Sequence, residues 1–277
     1  MTTFRETHAG GAGISRRTVL GAAIMLSMAT LAATPSAAAK ERSQAATYGS
    51  APFTTRHLLP GGGLDLEAVD RTSPLARVIA LTIDDGPDAN DLRILDILQR
   101  YEARATFFYI GRKIAGHGTA IAAAVAASGN EVGSHSYSHP LLTDLSAAQQ
   151  ERELAAANAA LAGAGIHPSW FRPPYGDFDD AVVRAAQAHG LQTVAWTADS
   201  QDWKGIGAAV VSRRVTDRLA PGAVVLMHGG RAATVAALPG ILEEGKRRGF
   251  RFVTMTEWRK AMLDATPTTL VARPDPH

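Results

Sequence analysis

Two histidines and two adjacent aspartates have the types and spacing of metal ligands. His135 and His139 are four residues apart, which on a helical turn would place both imidazoles on one side. Asp84 and Asp85 repel each other unless something neutralises them, and a divalent cation would do so. The chain contains no cysteine, so a metal site must use histidine and carboxylate ligands. We therefore predict a site of two histidines and one aspartate, with the second aspartate free as a base.

Both pairs also have a simpler structural interpretation. Two histidines at this spacing are often core or capping residues, and the sequence Asp-Asp-Gly-Pro at 84–87 is typical of a solvated turn. The metal interpretation is favoured because each pair directly follows a short apolar run. It therefore depends on the elements that would bring the pairs together.

Short apolar runs alternate with segments of helical period along most of the chain. The predicted strands are 78–83, 105–110, 131–134, 170–172, 192–197, 223–227 and 251–254. Leu92, Leu95 and Leu98 have helical spacing, and Ser146 with Gln149 would form a capping box at the start of another helix. This alternation predicts an α/β fold, a distorted (β/α) barrel with about seven parallel strands.

Polar residues follow five of the predicted strands. They are 84–85, 135–139, 172–175, 199–203 and His228. Because the carboxyl ends of parallel barrel strands meet at one rim, these residues should line a single pocket.

The pocket would contain the groups that a hydrolytic reaction needs. Asp84 could take a proton from water, and His228 could give one to the leaving group as a general acid. Arg172 would keep the free aspartate ionised and oriented, and Asp202 would keep His228 protonated. A single histidine at the end of a strand is more often structural, so the role of His228 depends on the rest of the site.

The first 39 residues have the pattern of an export signal. Arg16 and Arg17 directly precede an apolar run at 18–34, and small residues follow at 35–39, as in signals of the twin-arginine type. An uncleaved membrane anchor is the alternative, although the run is short and rich in alanine. We expect an exported protein, periplasmic or secreted, with no stable membrane span after cleavage.

The remaining segments complete the predicted organisation. Residues 40–76 are polar and glycine-rich and are predicted to be a linker or a wrap over the domain, residues 77–263 the domain itself, and residues 264–277 a flexible tail. The 28 basic and 26 acidic residues give a net charge of +2, which gives no indication of nucleic-acid binding. We expect a monomer.

The five polar segments, in this order, resemble the motifs of the polysaccharide deacetylases, the NodB-homology domain of carbohydrate esterase family four. The resemblance covers residues 77–263 and implies metal-dependent hydrolysis of acetyl groups from an N-acetylated polysaccharide, which releases acetate. Peptidoglycan, chitin oligomers and exopolysaccharide are the implied substrates. The implied cofactor is a divalent metal, zinc first, with cobalt, nickel and manganese as alternatives.

Two other functions remain open on the same barrel. One is hydrolysis of O-acetyl xylan or of other amides. The other is a catalytically silent polysaccharide-binding protein, although such relatives should lose the base or a metal ligand.

The resemblance also implies a role for each chemical group. Asp84 resembles the catalytic base, and Asp85 joins the two histidines as the metal ligands. Arg172 resembles the arginine that tunes the base. His228 resembles the general acid, with Asp202 as its partner.

Substrate contacts are implied in the same way. The backbone N–H of Tyr175 resembles the donor that stabilises the tetrahedral oxyanion. Trp203 and Leu226 resemble the walls of a small apolar pocket for the acetyl methyl group, and Pro173 is a further expected substrate contact.

The sequence departs from the family pattern at two positions. Ile83 stands where phenylalanine is usual, and we expect it to be tolerated because its side chain would point into the barrel. Gly229 stands where many relatives have aspartate after the histidine. The lost carboxylate should alter the surroundings of the acid or the substrate rim.

Overall fold

A computed structural model describes residues 77–265 of the chain. The predicted export signal, the predicted linker and residues 266–277 of the predicted tail lie outside the described residues. The last helix includes Asp264 and Ala265, the first two residues of the range assigned to the tail. None of the helices in the described range has the length and hydropathy needed to cross a membrane.

Strands and helices alternate along most of the described range. The strands are β1 (Val78–Gly86), β2 (Thr106–Tyr109), β3 (Glu131–Ser134), β4 (Trp170–Phe171), β5 (Gln192–Thr193), β6 (Ala198–Asp199), β7 (Val224–His228) and β8 (Arg251–Val253). The α-helices are α1 (Ala89–Arg100), α2 (Gly111–Lys113), α3 (Thr119–Ala127), α4 (Ala147–Gly163), α5 (Asp180–Ala188), α6 (Ala208–Thr216), α7 (Ala232–Arg247) and α8 (Met255–Ala265). A π-helical segment, Ile114–Gly118, connects α2 to α3.

Side chains cap the helices that follow the first strand and the third. The Asp88 side chain accepts a hydrogen bond from the Asn90 N–H at 2.9 Å, and the Asp88 N–H donates to Asp91 Oδ2 at 2.9 Å. At α4, the Ser146 N–H donates to Gln149 Oε1 at 2.9 Å, which confirms the predicted capping box. These bonds satisfy backbone groups that have no partner within the helix.

The strands form one parallel sheet that curls into a distorted barrel, as predicted. The long strand β1 pairs with β7 along one edge and with β2 and β8 along the other. The predicted strand at 192–197 is instead two short strands, because β5 pairs with β4 whereas β6 pairs with β7. Between them the Ala195 carbonyl leaves the ladder and accepts a hydrogen bond from Arg172 Nη2 at 3.0 Å.

The two faces of β1 have different environments. Ile79, Leu81 and Ile83 pack against the helices in the main apolar cluster. The side chains of Thr82 and Asp84 point to the opposite face, because side chains alternate along a strand. Both contact Arg172. The expectation that Ile83 points into the barrel is therefore wrong, since Asp84 takes that direction.

Helix α8 fills the interior at the opposite end of the strands. Met255, Trp258 and Met262 join a second apolar cluster with Val78 and Phe108. The Trp258 Nε1–H donates to the Gly222 carbonyl at 3.1 Å. The interior is therefore apolar near the start of β1 and polar near its end.

Candidate active site

The predicted site residues lie together at the carboxyl ends of the strands. Those that line one pocket are Asp84, Asp85, His135, His139, Pro173, Tyr175, Trp203, Leu226 and His228. Arg172 and Asp202 are buried instead, with 0% and 1% of their surface exposed, and each contacts a residue of the pocket. The structure thus brings together all of the predicted residues, some on the wall and two behind it.

Three ligand atoms converge on one side of the pocket. Asp85 Oδ1 lies 3.3 Å from His139 Nε2 and 3.5 Å from His135 Nε2. Ligands about 2.1 Å from one cation at tetrahedral angles lie about 3.4 Å apart, so this spacing fits a shared metal ion. Asp85 Oδ1 is buried and has no hydrogen-bond partner within residues 77–265. Burial acts to raise the pKa of Asp85, but the two imidazoles hold that pKa well below its ordinary value.

His135 is oriented by a backbone carbonyl from the next strand end. Its Nδ1 lies 2.6 Å from the Arg172 carbonyl oxygen, which can only accept, so the proton is on Nδ1. Its Nε2 is thereby turned toward Asp85, as a metal ligand requires. His139 is held differently, with its ring edge-to-face against Tyr175 at a centroid distance of 4.6 Å.

The segment between the two histidines is a loop. The prediction of a helical turn is wrong, because Ser136 and His139 have positive φ angles of 61° and 65°. The Ser136 hydroxyl oxygen accepts from the His139 N–H at 3.0 Å, which closes the loop on itself. The imidazoles still meet, with ring centroids 4.8 Å apart, but a different backbone brings them together.

The second aspartate is fixed by the buried arginine. Arg172 Nη1 donates to Asp84 Oδ1 at 2.9 Å and to Thr82 Oγ1 at 2.5 Å. The guanidinium also lies over the Phe108 ring, 4.4 Å from its centroid. Burial lowers the pKa of Arg172, and Asp84 opposes that change. Asp84 Oδ2 points toward the three proposed metal ligands and lies 3.9 Å from His135 Nε2.

On the opposite wall, Asp202 holds His228 through both of its oxygens. Asp202 Oδ1 lies 2.7 Å from His228 Nδ1, and Oδ2 accepts from the His228 N–H at 2.8 Å and from the Thr234 hydroxyl. Burial acts to lower the pKa of His228, but Asp202, together with the charges of Asp84 and Asp85, outweighs it and raises that pKa to about 9. His228 is therefore protonated at neutral pH. It pairs with Asp84 in the register of β1 and β7.

Strained backbone is concentrated around the pocket. Five of the six non-glycine residues with positive φ in the described range lie in it or beside it: Asp85, Ser136, His139, Tyr175 and Gln201. Such angles are uncommon for these residue types and persist only where surrounding contacts impose them. The folded chain therefore maintains this local geometry against its intrinsic preferences.

Two pocket residues, Trp196 and Arg231, were not predicted. Asp199 also lines the pocket, as expected for the polar segment 199–203. Trp196 falls within a predicted strand, where an aromatic residue suggests only packing. Two signals were available in the sequence. Trp196 lies near the carboxyl end of its predicted strand, and Arg231 is a cation three residues after His228.

A carboxylate from another element occupies the space beside Gly229. A Cβ atom built on Gly229 would lie 2.3 Å from Asp91 Oδ1. Asp91 is fully buried, and burial raises its pKa to about 6. The space beside residue 229 is therefore filled by a side chain from α1.

The fold and the site together define a class of protein, the parallel (β/α) barrels with an Asp-His-His cluster at the carboxyl ends of the strands. The model of the family "Polysaccharide deacetylase" matches residues 71–194. A peptidoglycan-N-acetylglucosamine deacetylase of Bacillus cereus is 36% identical over 187 residues, which are 65% of this chain and 87% of that protein. The chain therefore belongs to the polysaccharide deacetylase family, which confirms the resemblance.

Two solved structures share this fold. The family 4 carbohydrate esterase from Streptomyces lividans, in complex with acetate, is 35% identical with a TM-score of 0.61, over 63% of this chain and 91% of that one. A family pseudoenzyme from Bacillus anthracis is 34% identical with a TM-score of 0.63, over 66% of this chain and 65% of that one. Other curated relatives are longer, and the match spans 38% of one of them.

Proposed function

We propose that this protein is a metal-dependent deacetylase that hydrolyses acetyl groups on an N-acetylated polysaccharide and releases acetate. Peptidoglycan is the first candidate, because the Bacillus cereus relative is named for it. The observation that carries the proposal is the position of Asp84 between two assemblies. The Asp85-His135-His139 cluster lies on one side of it, and His228 follows on the neighbouring strand.

Asp84 is proposed to take a proton from the attacking water. Its Oδ1 is fixed by Arg172, so Oδ2 is left directed at the ligand cluster. A divalent cation bound by Asp85, His135 and His139 would lower the pKa of water and polarise the acyl oxygen. Zinc suits this set of nitrogen and oxygen ligands, and cobalt, nickel and manganese are the alternatives.

His228 is proposed to protonate the leaving amine through Nε2, since Asp202 holds Nδ1. The backbone N–H of Tyr175 would stabilise the developing oxyanion. Trp203 and Leu226 would form the apolar walls for the acetyl methyl group, and Pro173 would be a further substrate contact. Each of these groups is thus assigned to a separate part of the reaction.

A silent binding protein is the competing function, because one relative is a pseudoenzyme. This chain retains the proposed base, all three metal ligands and the buried partners of the base and the acid. A protein that only binds polysaccharide has no need of a histidine held protonated by a buried aspartate. These features support catalysis.

Removal of the metal tests the proposal. We expect chelated protein to lose acetate release from peptidoglycan and from N-acetylated chitin oligomers, and added zinc to restore it, because the proposed base needs water of lowered pKa. Acetate release is measured enzymatically, with cobalt, nickel and manganese compared at equal concentration. Chelated protein that keeps full activity would refute metal dependence, and acetate from acetyl xylan alone would favour the esterase alternative.

We also propose that the mature protein begins near Lys40 and acts outside the cytoplasm. The twin arginines at 16–17 and the apolar run after them support this, as does the cell-wall substrate of the relative. The test is N-terminal sequencing of the exported protein, with the double variant Arg16→Lys/Arg17→Lys as the control that should not be exported. A chain that stays in the cytoplasm and begins at Met1 would contradict the proposal.

A further inference from the structure

The loop between the two ligand histidines is bound by a carboxylate from a different element. Glu153, on α4, accepts through Oε2 from the Tyr137 N–H at 3.0 Å and from the Ser138 N–H at 2.8 Å. Its Oε1 accepts from the Ser138 hydroxyl at 2.6 Å. One side chain thus holds three donors of a loop that is only three residues long between His135 and His139.

The carbonyl groups of the same loop are held from the opposite direction. The Ser136 and Tyr137 carbonyls accept from the N–H groups of Gly111 and Arg112, each at 3.0 Å. A Cβ atom on Gly111 would lie 2.9 Å from both Tyr137 Cδ2 and Ala157 Cα, so this contact has no spare room. The loop is therefore fixed between the start of α2 and the face of α4.

These contacts matter because the loop conformation is intrinsically unfavourable. Ser136 and His139 both have positive φ, an uncommon backbone conformation for non-glycine residues that requires support from the surrounding structure. A carboxylate is the strongest available acceptor for backbone N–H groups. Without Glu153, two amides and a hydroxyl would lose their partner, and the loop could relax to other conformations.

We propose that Glu153 is a positioning residue that holds His135 and His139 in the geometry for metal binding. It does not line the pocket, so it acts only through the loop. The inference rests on the metal site of the proposed function. Groups that orient metal ligands from behind typically change metal affinity by about 10- to 100-fold when they are removed.

The test compares the metal affinity of Glu153→Ala, Glu153→Gln and the parent. Each protein is freed of metal with a chelator, the chelator is removed, and the protein is titrated calorimetrically with zinc or cobalt. Glu153→Ala should bind the metal about 10- to 100-fold more weakly. Glu153→Gln should show a smaller loss, about threefold or more, because its amide oxygen can still accept from both N–H groups but carries no charge.

A matched control lies two residues away on the same helix. Glu151 Oε1 is 2.9 Å from His189 Nε2 and has no contact with the loop, so Glu151→Ala should keep the parental affinity. Thermal unfolding of the metal-free proteins reports whether each variant folds.

Each outcome decides the inference. A folded Glu153→Ala with parental affinity overturns it. If Glu153→Ala does not fold, Glu153→Gln decides, since weaker binding supports the inference and parental affinity overturns it. A parent that binds no metal overturns the proposed function as well, so the two failures are distinguishable.

Discussion

Asp84→Asn is expected to reduce kcat by about 10²- to 10⁴-fold while leaving metal affinity close to that of the parent. Asparagine has the same shape and can still face Arg172 with its amide oxygen, but it cannot accept the proton of the attacking water. The three ligand atoms belong to other residues and keep their positions. Turnover and metal affinity are measured on the same preparation, by acetate release and by metal titration.

His139→Ala is the informative comparison, because it removes a ligand and should lose both metal and turnover. Asp96→Asn is the matched control, since Asp96 is an exposed residue of α1 and should keep both properties. Equal loss of metal from Asp84→Asn and His139→Ala would show that the two aspartates do not divide the roles of base and ligand.

Asp202→Asn is expected to shift the alkaline limb of the pH–rate profile to lower pH. The acid must be protonated to act, so kcat falls as the pH rises through the pKa of His228. Burial lowers that pKa, and Asp202 makes the largest contribution to raising it to about 9, so without this carboxylate only the charges of Asp84 and Asp85 oppose the effect of burial and the pKa falls. His228→Gln should lose the limb altogether, together with about 10²- to 10⁴-fold of the activity.

The same pair links stability to pH. The folded pKa of His228, about 9, lies above its ordinary value of 6.5, so protonated His228 stabilises the fold fully below pH 6.5. This stabilisation is lost as the pH rises through the folded value. Urea unfolding of metal-free parent and Asp202→Asn between pH 6 and 10 measures the difference. Asp202 would not control the protonation of His228 if Asp202→Asn kept both the alkaline limb of the pH–rate profile and the pH dependence of stability of the parent.

The barrel and the gathering of the site were predictable from the sequence because both follow from strand ends. Residues directly after a parallel strand must reach the same rim, so Asp85 and His139 could be brought together from distant parts of the chain. The partners of the base and the acid, Arg172 and Asp202, were predictable for the same reason. Arg172 ends one predicted strand, and Asp202 lies in the polar segment that follows another.

Other features depend on contacts that have no local sequence signal. The loop at 135–139 departs from a helical turn because Glu153 and the start of α2 hold it, and the spacing of two histidines does not reveal either contact. The strand at 192–197 divides because Ala195 bonds to Arg172 across the barrel. Ile83 faces the helices because Asp84, one residue later, must face the pocket.

The side chain at position 91 limits which residues can occupy position 229, although the two are far apart in the sequence. Because the Asp91 carboxylate lies where a side chain at 229 would begin, aspartate at 229 would place two carboxylates in one buried space. Aspartate at 229 is therefore disfavoured while Asp91 is present, whereas a smaller neutral residue at 91 would open the space. The two positions are therefore epistatic, because a substitution at 91 has to precede aspartate at 229.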